Sequence, residues 1–508
     1  TGQLIAEYKG VFGKHDINVL GGWSAEENLY EDLQGKRTNI VGNELPALNL
    51  GDTDGWSNAA DENEWALLSG FMRASYAFAA KYLVEVNFRA DASSRFSKKN
   101  RWGVFPSASV GWRITEEKFM QNQHIFDNLK LRASWGQLGN QNGLGLYDHI
   151  ASYNINGYYP FKSELGQWAV ISKLPSESRT WETVEVKNIA VDMAFLRNRL
   201  TVTGEYFIKK NKDMLVSIEI PSIIGIDVPT GNYGELKVKG WEVTVGWQDK
   251  IKDFSYGARF NLSDQKDKLV DYGVEYNGFV AGVNQKVQGY SLGSIFGYRT
   301  DGYFTSEEEV KNSAAFNKAI TGVGDIKYID KDGDGKISAP NDLEYLGTTT
   351  PRYTFGLNLT AAWKGFDLGV LLQGVGKRNF YLSSEVMNPY YATWNNFSYK
   401  MHNDYWTPEN PNAAFPRYYA GANHNYQISD HWLQNAAYVR LKNLQLGYTI
   451  SPKLTKSWGI QRLRVYFSGD NLCEYSKLND NFDPELSDIN GYVYPIMRNF
   501  SFGINVTL

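Results

Sequence analysis

The most explicit chemical signal in this chain is the run Asp330-Lys331-Asp332-Gly333-Asp334-Gly335-Lys336-Ile337-Ser338. Carboxylates at the first, third and fifth places with a glycine at the sixth can wrap a hard cation, Ca2+ or Mg2+, while Lys336 offers its backbone carbonyl. The twelfth place holds Asn341 where an EF-hand carries a bidentate glutamate, and Asp342 follows at once. The expected ligand set is therefore Asp330, Asp332, Asp334, Lys336 and Asp342. The plain alternative is an Asp/Gly-rich turn on a solvated loop. A second signal is aromatic. Residues 381–432 carry Tyr390, Tyr391, Trp394, Tyr405, Trp406 and Tyr418 among amides such as Asn395, Asn396 and Asn403. Flat aromatic faces beside amides suit sugar rings or peptide side chains. Tyr158 and Tyr159, in a loop spanning 141–168, are candidates of the same kind; the plain alternative for most of these rings is packing within their own loops.

Signals for catalysis are weak. The six histidines (His15, His124, His149, His402, His424, His431) are scattered without metal-ligand spacing, and no Gly-x-Ser-x-Gly elbow occurs. A net charge of −4 gives no electrostatic case for nucleic acid. One cysteine, Cys473, rules out an internal disulfide framework.

The elements that must position these loops are strands. Phe500, Phe502, Ile504, Val506 and Leu508 fall on one side of an extended terminus, and Ser501, Gly503, Asn505 and Thr507 on the other. The same alternation recurs in Tyr82, Val84, Val86 and Phe88 against Leu83, Glu85 and Asn87. It returns in Leu200, Val202, Tyr206 and Ile208, in Tyr353, Phe355, Leu357 and Leu359, and in Leu463, Val465 and Phe467. Many such runs joined by short polar turns predict a large antiparallel sheet. The hydrophobic fraction is 42% and aromatics make up 15%. No run approaches the roughly eighteen apolar residues of a membrane helix, so a bilayer could be crossed only by a barrel. Aromatic enrichment suits its interfacial girdles.

Connections alternate in length. Short turns are expected at Gly13 and Lys14, Ala80 and Lys81, Arg197 and Asn198, at 249–252, and at Lys364 and Gly365. Long segments are expected at 31–64, 139–182, 212–236, 268–351, 375–436 and 471–498, and a short helix within 115–128. This asymmetry belongs to outer-membrane barrels, with short periplasmic turns and long extracellular loops. The expected fold is an all-β, transmembrane antiparallel β-barrel. About fifteen strands can be counted, whereas single-chain bacterial barrels have an even number. The first strand, near 4–12, and the last, 499–508, run in the same direction and cannot close antiparallel. The expectation is that residues 1–508 form the C-terminal part of a larger barrel.

Several stretches resemble the SusC/RagA family of TonB-dependent outer-membrane transporters. Arg89-Ala90-Asp91-Ala92-Ser93-Ser94-Arg95-Phe96 followed by Asn100-Arg101-Trp102-Gly103-Val104-Phe105-Pro106-Ser107 is one. Leu129-Lys130-Leu131-Arg132-Ala133-Ser134-Trp135-Gly136-Gln137, Trp181-Glu182 and residues 293–302 are others. So are Tyr405-Trp406-Thr407-Pro408-Glu409-Asn410-Pro411-Asn412 and Tyr438-Val439-Arg440-Leu441-Lys442-Asn443-Leu444. The resemblance implies a barrel of about twenty-two strands, even as such barrels require. It implies a plug domain and first strands outside this chain, and a structural rather than catalytic role for the Asp330 loop. Active import of oligosaccharides or peptides would follow, with a SusD-like surface lipoprotein as partner and TonB-ExbB-ExbD acting on the plug. A siderophore or cobalamin receptor, and a soluble β-rich carbohydrate-binding protein, are the alternatives.

Overall fold

The computed structural model describes every residue except 43, 45, 46, 163, 218–222, 224, 226–229, 274–278, 391–399, 420, 487–493 and 495. Fifteen strands form one sheet in chain order: Gly2–Phe12, His15–Lys36, Ser57–Phe78, Tyr82–Ser93, Trp102–Arg113, Phe126–Asn140, Glu182–Phe195, Leu200–Val216, Gly231–Ile251, Phe254–Tyr272, Arg352–Trp363, Phe366–Lys377, Tyr438–Thr449, Arg462–Ser476 and Asn499–Thr507. An order that follows the sequence is an up-and-down meander, as the alternating short and long connections predict. Among the described residues no helix is long and apolar enough to cross a membrane, which says nothing about crossing by strands.

Two differences from the sequence reading concern connections. The long segment expected at 31–64 shrinks to residues 37–56, because His15–Lys36 and Ser57–Phe78 stay paired from His15↔Phe78 to Lys36↔Ser57. Polar residues such as Glu31↔Glu62 and Asp32↔Asp61 occupy the far end of that ladder. A ladder continues on backbone hydrogen bonds alone, so loss of the apolar alternation did not mark its end. The helix expected within 115–128 is two 3-10 turns, Ile114–Glu116 and Lys118–Met120, with Phe126 already on the next strand.

The chain forms two compact units. The first comprises Thr1–Arg113, Arg132–Lys187 and Lys209–Glu235. Its apolar set Tyr82, Val84, Val86 and Phe88 is 40–46% exposed. The opposite face is laced with hydrogen bonds, including Ser75 Oγ to Glu85 at 2.9 Å and Asn87 Nδ2 to Glu85 at 3.1 Å. Its buried cluster is small: Phe96, Phe105, Leu144 and Trp181, with the Trp181 indole donating to the Arg101 carbonyl at 3.0 Å.

The second unit comprises Ile114–Leu131, Asn188–Ile208 and Leu236–Leu508. Trp363 pairs with Phe366, leaving Lys364 (φ 46°) and Gly365 (φ 94°) as a two-residue turn of the left-handed kind that matches strand twist. Phe500, Phe502, Ile504, Val506 and Leu508 stand at least half exposed. Polar partners line the other face: Glu205 accepts from Asn188, and Asp367 receives Arg464 at 2.5 Å. The main apolar core of this unit lies in its loops. Tyr298, Ile326, Tyr328, Leu343, Phe380, Leu382, Val386, Phe415 and Trp432 are buried together.

Candidate functional site

The Asp330 loop is built by its own backbone. Both Asp330 oxygens accept amides, from Gly333 and Gly335, each at 2.7 Å. Asp332 accepts from the Asp334 amide at 3.1 Å, and Asp334 from that of Lys336 at 2.8 Å. The Gly335 amide, with those of its neighbours, holds the Asp330 carboxyl below the usual carboxylate range. One oxygen each of Asp330, Asp332 and Asp334 lies within 4.8 Å of the others, a spacing that admits a divalent cation. Asp342 stands outside this group. It is buried, and its oxygens take the amides of Lys331 (2.8 Å) and Ser338 (2.7 Å), so it fastens the loop's ends together.

Of the aromatic candidates, Tyr390, Tyr405 and Tyr418 come together. Tyr418 lies at ring distances of 5.8 Å from Tyr390 and 5.3 Å from Tyr405. Its hydroxyl donates to the His402 carbonyl at 2.9 Å, and burial pushes the phenol well above its ordinary value. Tyr390 and Tyr405 are 46% and 43% exposed, leaving two rings open beside a half-buried third. Trp406 is packed instead: Gly324, at φ +91°, passes so close that a Cβ there would run into the indole. Tyr391 and Trp394 lie outside the described residues. In the other unit, Tyr158 and Tyr159 stand on the hairpin Ser152–Phe161 and Glu164–Lys173, exposed at 66% and 59%, with Tyr159 5.2 Å from Phe161.

Sequence reasoning missed the hub under the aromatic loop. Asp325 is fully buried, and its carboxylate accepts from the Gly322 amide (2.8 Å), Asn425 Nδ2 (2.8 Å), His424 Nε2 (2.9 Å) and the Tyr419 hydroxyl (3.0 Å). A buried carboxylate persists only when donors replace its water, and this one has four. Partners about a hundred residues away leave no periodic trace. The only signal was the Gly-Asp pair just before the short strand Ile326–Tyr328.

A strand meander apolar and exposed on one face, polar and internally bonded on the other, with its cores placed in long loops, defines the wall of an outer-membrane barrel. The chain belongs to the TonB-dependent receptor-like β-barrel family, whose model matches residues 3–472. It is an outer-membrane protein, and its family is one of receptors and transporters rather than enzymes. The chain is 30% identical to TonB-dependent receptor P26 of Formosa agariphila, over 99% of this chain and 52% of that protein. To the TonB-dependent receptor SusC of Bacteroides thetaiotaomicron it is 28% identical, over 87% of this chain and 43% of SusC. In fold it is similar to the RagAB peptide transporter, with a TM-score of 0.83 at 24% identity, covering 99% of this chain and 55% of that one. The SusC/RagA resemblance read from the motifs is thus supported, and the chain spans about half the length of the curated relatives it matches.

Proposed function

We propose that this chain supplies part of the wall and the extracellular loops of a SusC-like TonB-dependent importer of oligosaccharides or peptides. A SusD-like surface lipoprotein would present the substrate, and TonB-ExbB-ExbD would supply energy through a plug region outside this chain. The observation that carries the reading is the two-faced meander: lipid suits its exposed apolar side, and a wet lumen suits its hydrogen-bonded polar side. The exposed rings of Tyr390 and Tyr405 support a contact with substrate or lipoprotein. In the same reading Asp330, Asp332 and Asp334 hold a structural Ca2+ or Mg2+ that stiffens the loop core.

The test is purification of the full-length protein from outer membranes in detergent, with mass spectrometry of what accompanies it, beside uptake of labelled oligosaccharides and oligopeptides with and without TonB. A co-purifying surface lipoprotein and TonB-dependent uptake are expected. A protein that stays monodisperse without detergent and imports neither substrate overturns the reading.

A further inference from the structure

In the first unit, the hairpin Ser152–Phe161 and Glu164–Lys173 makes a two-stranded sheet of its own. Its register pairs Gly157↔Trp168, Tyr159↔Gly166 and Phe161↔Glu164. Directly opposed residues share a face, and so do residues two apart on one strand. One face of the outer half therefore carries Gly157, Tyr159, Phe161, Glu164, Gly166 and Trp168. Tyr158, Pro160, Leu165 and Gln167 fall on the other.

The two glycines on the first face let rings from the opposing strand lie down on the backbone. A Cβ at Gly157 would fall within the Trp168 indole, and one at Gly166 would meet Phe161 Cδ2 at 3.2 Å. Tyr159, directly opposite Gly166, stands 5.2 Å from Phe161 with the ring planes tilted by 59°, so each ring presents its own face. Tyr159 and Phe161 are 59% and 64% exposed, and Trp168, pressed onto its glycine, 37%. Among the described residues, none of the three packs into a buried apolar cluster. The Trp168 indole N–H and the exposed Glu164 carboxylate stand toward opposite ends of this row, and neither has a hydrogen-bond or ion-pair partner among the described residues.

Size and charge decide what such a face holds. The row is about 17 Å long and two strands, about 10 Å, wide, an area of roughly 170 Å2. A stable protein interface takes about 800 Å2 from each partner, so this face alone is too small to dock a protein. Exposed ring faces with a free donor and a free acceptor beside them fit pyranose rings, which are apolar on their faces and hydroxylated at their rims. Glu164 is the one charge on this face, with Lys162 beyond it in the turn, and a carboxylate accepts from hydroxyls and repels anions. We propose that this face is a stacking platform for a neutral oligosaccharide, with successive sugar rings against Trp168, Tyr159 and Phe161 and a hydroxyl donating to Glu164. The proposal rests on the importer reading and narrows its substrate to neutral glycans.

The test is calorimetric titration of the full-length transporter in detergent with cellohexaose, xylohexaose, mannohexaose and maltohexaose, beside hexagalacturonate and hexaalanine. Binding of at least one neutral hexasaccharide is expected, weakened about tenfold or more by Tyr159→Ala and by Trp168→Ala. Tyr158→Ala, on the opposite face of the hairpin, should leave that affinity unchanged. All three variants should keep the heat-modifiable gel mobility of a folded barrel. The site is overturned if no neutral hexasaccharide binds, if folded Tyr159→Ala binds as tightly as the parent, if Tyr158→Ala weakens binding as much, or if hexagalacturonate or hexaalanine binds as well. TonB-dependent uptake of a saccharide or peptide at the parent rate by the Tyr159→Ala/Trp168→Ala protein would remove the platform and leave the importer standing.

Discussion

Asp325 shows how one side chain can hold a loop core together. Its carboxylate gathers donors from residues 322, 419, 424 and 425, while Asn425 Oδ1 accepts the Ile326 amide at 2.9 Å. Replacing it by alanine leaves several buried donors without an acceptor, a loss of about 3–5 kcal/mol. Asp325→Ala should therefore open residues 322–328 and 417–426 to hydrogen exchange while the strand amides stay protected; unchanged exchange in those segments would refute the assignment. Acid should act on the same core. Burial lowers His402 and His431 below the ordinary 6.5. The unfolded chain then takes up protons that the folded loops refuse, so stability is lost as pH falls below about 6.5. Glu309 is held at about 2 by the Thr305 amide and the Lys327 ammonium, so its contribution, intact above 4.5, is lost as pH falls from there toward 2. Near-ultraviolet circular dichroism of the loop aromatics should weaken over that range before the far-ultraviolet strand signal does. The long-range Asp325 contacts were not visible in sequence order, whereas the Asp330 loop was legible as an Asp/Gly-rich turn, because the bonds of its acidic run join residues two to five apart.

Strands with strict alternation were legible at once, since exposure on one face and polar pairing on the other write themselves into every second residue. Bulges were not. Leu371 pairs with Asn443 and Leu372 with Leu441, leaving Lys442 as an extra residue opposite the gap. Lys442 reaches Glu485 at 2.6 Å beside Arg440, which is almost fully buried. Arg440 Nη2 bonds Asp483 at 2.7 Å; its Nη1 stands 3.2 Å from Glu485, an ion pair by distance without hydrogen-bond geometry. Arg378 adds Nη2 to the Leu486 carbonyl at 2.6 Å. Three cations thus fasten residues 483–486 to strand ends. Arg440→Met removes the most buried of them and leaves three acidic side chains, Glu474, Asp483 and Glu485, short of a partner, at about 3 kcal/mol. Faster exchange and proteolysis confined to residues 477–486 are expected, with the neighbouring ladders intact. Unfolding of the ladders themselves would show that the arginine serves the wall and not the loop.

For the molecule as a whole, counting strands and connection lengths recovered the meander, because an up-and-down sheet repeats one simple unit. The inward architecture of the loops resisted, because their contacts join segments far apart in sequence. Residues 273–351 depart from and return to strands that are themselves partners, from Phe254↔Trp363 to Ser263↔Thr354, with Arg352 gripping Asp264 at the rim. A chimera carrying a relative's segment between these two strands should insert into membranes and remain heat-modifiable while changing which ligands the protein binds; loss of barrel assembly would show that the segment is needed to form the wall. The paired stems make 273–351 a cassette. Recombination between related genes could exchange it in a single event, and a lineage could inherit a new loop core without rebuilding the wall that carries it.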